Sequence, residues 1–210
     1  MTLNPISRNF LAGTLLVFAL TAFAHGQNQI IDFNGISGGE GSQFTTYMED
    51  GFTVSDVSNN LLVSQGIYGN PPPGLYFIAQ PNQVLTGTVE VTEGGGLFTF
   101  NSVDVYSSIT AIPYTFTGFL NGNQVYTVSG VTQLAMGNFL TIMNPDSSIA
   151  VNTLDISITN DPGSCCSNPM ALDNINVTPQ AATAPEPATL SLFGIGAAVA
   201  AAYRRKRGRG

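Results

Sequence analysis

The cleanest alternation of apolar and polar positions is Thr153-Leu-Asp-Ile-Ser-Ile-Thr159, in which Leu154, Ile156 and Ile158 share one parity and the polar residues the other. Side chains alternate across a strand with period two, so this segment predicts a strand with one face in a core. The same pattern recurs at 114–120 (Tyr-Thr-Phe-Thr-Gly-Phe-Leu) and 125–128 (Val-Tyr-Thr-Val). Between them, Asn121-Gly122-Asn123 predicts a tight hairpin, because Asn-Gly tolerates the positive φ angles that such turns need. Segment 97–106 breaks step: Phe98 and Phe100 share one parity, Val103 and Val105 the other. A bulge or bend near Asn101-Ser102 would restore one apolar face. Three consecutive prolines within 66–74 cannot donate to a ladder, which predicts a surface loop there.

No stretch of the middle region sustains an apolar period of 3.6 residues, so helices should be few and short. Frequent short strands and closely spaced turns predict an all-β fold, a jelly-roll-like β-sandwich, with a closed barrel as the alternative. The 210 residues divide into a signal peptide at 1–24, the sandwich domain at 25–178, a Pro/Ala-rich linker at 179–187 and a membrane-spanning helix with a basic tail at 188–210. A middle domain of roughly 155 residues is long enough to bury about two-thirds of its unfolded surface in one core.

The two ends carry the chain's targeting chemistry. Arg8 precedes an apolar run at 10–22, and Ala22-Phe23-Ala24 offers an A-x-A cleavage site before His25. That order predicts a secretory signal removed by signal peptidase. At the other end come Pro185-Glu186-Pro187, an apolar stretch at 188–203, and a basic cluster of Arg204, Arg205, Lys206, Arg207 and Arg209. Sixteen helical residues reach about 24 Å, slightly less than a ~30 Å hydrocarbon core, and snorkelling arginines or local thinning cover the difference. The basic cluster should stop translocation and stay cytoplasmic, with the domain across the membrane.

This three-part tail resembles the PEP-CTERM sorting signal of Gram-negative bacteria. The resemblance implies recognition and processing by a membrane-embedded exosortase. The chain would then cross the inner membrane, be held there transiently by its C-terminal helix, and pass to the cell surface, outer membrane or extracellular matrix. The span read as an ordinary single-pass anchor is the competing account.

Charge sharpens the picture of the domain. All six basic residues lie in the terminal segments, whereas of 13 acids only Glu186 falls outside 32–173. A domain without Lys or Arg should repel nucleic acid and anionic lipid, which require clustered cations. With His25 as the sole histidine, nucleophile systems built on a histidine base are excluded. The lack of cations also removes the usual phosphate and oxyanion clamps. These features favour a non-enzymatic structural or weakly carbohydrate-binding module, with exopolysaccharide as a candidate partner. The alternative is a matrix-polysaccharide hydrolase using two carboxylates.

If 172–177 (Leu-Asp-Asn-Ile-Asn-Val) is one regular strand, Asp173 shares parity with Ile175 and Val177 and sits at the edge of the apolar face. A buried acid needs a partner, and no cationic side chain is at hand. Oxygen ligands suit Ca²⁺, whereas zinc would call for the histidines this domain lacks. The segment resembles the closing strand of jelly-roll carbohydrate-binding modules, which implies a structural Ca²⁺ held by Asp173 with Asp32, Glu49 or Asp50. The plainer account has Asp173 and Asn174 capping a turn. Tyr47, Tyr68, Tyr76, Tyr106, Tyr114 and Tyr126 are candidates for stacking on a sugar, with Tyr68 and Tyr76 bracketing the Pro-rich loop, although tyrosines more commonly pack against a core. Adjacent Cys165 and Cys166 in an exported chain leave three options: a vicinal disulfide, intermolecular bridges or reduced thiols.

Overall fold

The computed structural model of the chain describes residues 26–133, 137–160 and 166–180. The signal peptide, the Pro185-Glu186-Pro187 motif, the apolar span, the basic tail and Cys165 lie outside the described residues. The described residues form twelve strands and no helix. They are β1 (Gln29–Ile31), β2 (Thr46–Glu49), β3 (Phe52–Asp56), β4 (Leu62–Ser64), β5 (Gly74–Ala79) and β6 (Thr86–Thr92) in the first half. The second half holds β7 (Phe98–Ser107), β8 (Pro113–Leu120), β9 (Asn123–Val131), β10 (Leu140–Met143), β11 (Thr153–Thr159) and β12 (Asn168–Pro179).

Two six-stranded antiparallel sheets result. One runs β10-β7-β12-β5-β4, with β1 pairing the C-terminal part of β12; the other runs β2-β3-β6-β11-β8-β9. From β5 to β8 the chain changes sheet at every connection, and again from β9 to β12. That repeated crossing is the jelly-roll manner of closing a sandwich. The inner faces meet through Phe77, Phe100, Val103, Val105, Met170 and Leu172 on one side and Val54, Val89, Val91, Phe116, Leu154 and Ile156 on the other, all buried. Edge-to-face pairs span the layers: Phe100 against Phe116 at 5.0 Å and Phe52 against Phe98 at 5.3 Å between ring centroids. Such geometry sets the positive rim of one ring against the negative face of the other.

The local readings translate directly. Strand β11 has the bounds its alternation predicts, with Leu154, Ile156 and Ile158 buried. The turn after β8 has Asn121 at φ 52° and Gly122 at φ 78°, the paired positive angles expected of Asn-Gly. On β7, Phe100 pairs with Val177 and Ser102 with Asn176, so Asn101 is the extra residue and the apolar phase shifts there.

One expectation is corrected. Strand β12 is not regular through 172–177: its pairing with β7 slips between Asp173 and Asn176, where Asn174 takes φ 47°. The inserted residue reverses the alternation. Leu172 therefore faces inward before the slip and Ile175 and Val177 after it, while Asp173 belongs with Ala171 on the outer side of the sheet.

Candidate functional site

On the outer face of the first sheet, Leu62, Tyr76, Ala171 and Tyr106 form one cross-strand row over β4, β5, β12 and β7. Ala171 is the small member, and the aromatic rings on either side lean over it as a second apolar cluster. Tyr68, from the Pro-rich loop, packs on Tyr76 with centroids 4.7 Å apart. Phe139, from the segment before β10, packs edge-on to Tyr106 at 6.3 Å. Tyr76 and Tyr106 are left 6% and 7% exposed, while Tyr68 and Phe139 are half-buried and form the outer layer. Tyr76 therefore presents no open ring to a ligand. Burial raises the pKa of its hydroxyl, with the charge of Glu40 adding.

The acidic cluster adjoins this patch. Phe139 and Asp173 both lie against Gly74, the first residue of β5, where a side chain would reach them. Asp173 is 2% exposed and stands directly opposite Asp104. The Asn174 backbone N–H donates to Asp173 Oδ1 at 2.7 Å, and the Asn174 side-chain amide donates to Asp104 Oδ2 at 2.9 Å. Thr141 of β10 donates to the other Asp104 oxygen at 2.6 Å. Glu49 accepts the backbone N–H groups of Asp32 at 2.9 Å and of Phe33 at 3.3 Å. Phe33 holds a φ of 57°, unusual for a bulky side chain, at the point where the chain leaves β1.

Electrostatics follow from this crowding. Burial pushes the Asp173 carboxyl up to about 8; the Asn174 N–H opposes the shift, and the charges of Asp104, Asp32 and Glu49 add to it. Glu49 is raised too, by burial first and by Asp32 second. At neutral pH Asp173 thus carries a proton, which answers the need for a partner in a cation-free domain. The fold brings Asp32, Glu49 and Asp173 within electrostatic reach of one another and recruits Asp104. Asp50, by contrast, is exposed in the β2–β3 turn at φ 49°. Among the described residues no group of three or more acids, histidines or cysteines is arranged to hold a metal ion as it stands. Cys166 is exposed at the start of the segment leading into β12.

Asp104 and Phe139 did not stand out from the sequence. For Asp104 the available signal was an acid between two apolar residues of a strand, Val103 and Val105. The second sheet's outer face held another: a field of hydroxyls in which Thr88 bonds Ser157 at 2.9 Å and Thr86 bonds Thr159 at 2.8 Å. Within it Glu90 stands opposite Asp155, whose carboxyl is raised by burial and by the Glu90 charge.

The fold defines an all-β sandwich, and the chain beyond it carries a recognisable address. Residues 183–207 match the PEP-CTERM protein-sorting motif, a stretch that includes Pro185, Glu186, Pro187 and the basic residues 204–207. By that motif the protein is exported and sorted to the cell surface by way of the membrane, and the motif implies processing by an exosortase-type enzyme. No curated protein matches the chain.

Several solved structures are similar to the sandwich. The module TmCBM61 in complex with β-1,4-galactotriose is 10% identical, with 61% of this chain and 88% of that one covered, at a TM-score of 0.40. A family 29 carbohydrate-binding module complexed with mannohexaose is 11% identical over 74% of this chain and 92% of its own, at 0.42. The CBM22-1–GH10 modules of a Clostridium thermocellum xylanase, complexed with xylohexaose, are 16% identical over 72% and 28%, at 0.39.

Proposed function

We propose that this protein is delivered by its sorting tail as a non-enzymatic module of the cell surface or extracellular matrix, structural or weakly carbohydrate-binding. The observation that carries the reading is the position of the motif. It begins at residue 183, four positions beyond the end of β12 at Pro179, so the chain runs into the tail from an interior strand of a sheet. A signal peptide removed by signal peptidase starts the route, and the apolar stretch at 188–203 spans the inner membrane until processing releases it. The outer membrane and the extracellular matrix are both destinations for the released domain. A structural Ca²⁺ bound among Asp32, Glu49 and Asp173, with Asp104 beside them, would replace the proton that otherwise neutralises Asp173.

Exopolysaccharide is the partner favoured on chemical grounds. The domain's acids and hydroxyls offer hydrogen bonds without any cationic clamp, and Tyr68 and Phe139 supply the accessible aromatic edge beside the acids. Cell fractionation with sequencing of the mature termini tests the delivery reading: a chain found intact to Gly210 overturns processing. Glycan-array binding weakened by Tyr68→Ala tests the carbohydrate reading.

The hydrolase alternative has one supporting observation, the Glu90–Asp155 pair, in which one carboxyl is raised beside another. Release of reducing ends from matrix polysaccharide, abolished by either Glu90→Gln or Asp155→Asn, would establish it.

A further inference from the structure

A sheet edge exposes unpaired backbone N–H and C=O groups, and stable β proteins guard such edges with brevity, charge, proline or bulges. Most edges here are guarded. Strands β1 and β4 have three residues each and β10 has four, while β2 has four and ends at Glu49. Strand β9 is different. It is nine residues long, pairs only with β8 along the sheet, and reads Asn-Gln-Val-Tyr-Thr-Val-Ser-Gly-Val with no charge and no proline. A register shift opposite Gly118/Phe119 leaves Val125 as its bulged residue, but Tyr126 to Val131 pair residue for residue with β8. That regular part places Thr127, Ser129 and Val131 exposed on the outer face, Val131 at 66%.

Charge selects the occupant. Two copies of a domain with acids and no cations repel one another wherever acids approach. No Asp, Glu, Lys, Arg or His occurs from residue 105 to 145, so the β8–β9 hairpin itself carries no charge; the acids near it are Asp155, opposite Thr117 one strand further in, and Asp146, whose charge acts on buried Tyr126. We propose that β9 is a self-association edge, pairing antiparallel with β9 of a second copy across a two-fold axis to continue the sheet through both molecules. Such a contact is isologous and closes on itself. The unpaired backbone groups provide the bonds, and the uncharged Thr/Ser/Val row meets its own copy without repulsion. The inference does not depend on the carbohydrate reading.

The test uses the full-length chain in detergent micelles, followed by sedimentation velocity across a wide concentration range. The unmodified chain is expected to reach dimer, and the double variants Thr127→Lys with Ser129→Lys and Thr127→Glu with Ser129→Glu to weaken dimerisation by at least about tenfold each, as like charges face one another. Mixing the Lys and Glu variants should restore a heterodimer. Both positions are exposed, so thermal melting should remain near that of the unmodified chain. As a measurement free of substitutions, amide exchange at 126–131 should slow as the unmodified chain is concentrated. A monomer throughout, a dimer indifferent to both variants, no recovery on mixing, or exchange at β9 independent of concentration would each overturn the proposal.

Discussion

Asp173 of β12 stands directly opposite Asp104 of β7, and no lysine or arginine exists in the domain to lie between them. Like charges in directly opposed positions destabilise a sheet, and here the burial of Asp173 compounds the effect. The pair is tolerable because Asp173 holds a proton.

A pH dependence follows from that proton. The folded-state pKa of Asp173 lies near 8, above the 3.8 of a free aspartate, so the folded chain binds more protons than the unfolded chain between these values. Stability from this residue is complete below pH about 4 and is lost as pH rises through about 8. Urea titrations at several pH values should show that decline, and Asp173→Asn should remove most of it. Above pH 8, added Ca²⁺ should raise the melting temperature and a chelator should lower it. No response to either would eliminate the calcium proposal.

Asn168 should be a costly residue to truncate. Fully buried at the start of β12, it donates to Asn160 Oδ1 at 3.0 Å and accepts the Ile109 N–H at 2.9 Å. Its partners Asn160 and Ser107 are buried as well. Asn168→Ala would strand a buried donor and acceptor, lowering stability by roughly 1–3 kcal/mol in chemical denaturation.

Gly87 lies on β6 opposite Ile158, where a β-carbon would run into the ring of Phe77 from the other sheet. Phe77 is buried and cannot swing into solvent. Gly87→Ala should destabilise the fold by roughly 1–3 kcal/mol, measured by thermal or urea unfolding. Gly94, whose added β-carbon would meet nothing within 4 Å, sits at φ 45°, so substitution there tests backbone strain rather than packing.

Trypsin should be ineffective against the processed domain even after denaturation. Between Arg8 and Arg204 there is no Lys or Arg to cleave. Incubating urea-unfolded mature protein with trypsin, with a protease of another specificity as control, should leave an intact band on a gel. Internal fragments would contradict the terminal placement of every cation in the mature chain.

The features legible in advance were those written in neighbouring residues. Alternation in Thr153–Thr159, the Asn121-Gly122 turn and the phase slip at Asn101 depend on side-chain period and local φ preference, and each translates into structure without reference to distant parts of the chain. The slip in β12 was hidden for the opposite reason. Asn174 is compatible with a regular strand or a bulge, and the choice rests on pairing with β7, where the inward rows on both sides of the slip must meet one core.

The sequence by itself determined an exported all-β protein with a sorting address, because the sorting motif, the strand-period alternation and the segregation of every cation are linear properties of the chain. Only the tertiary structure decided which residues share a site. Tyr68, Tyr76, Tyr106 and Phe139 become one cluster, and Asp104 the neighbour of Asp173, through cross-strand register between segments far apart in sequence. Register is set by how two whole faces fill a common core, and no local pattern specifies it.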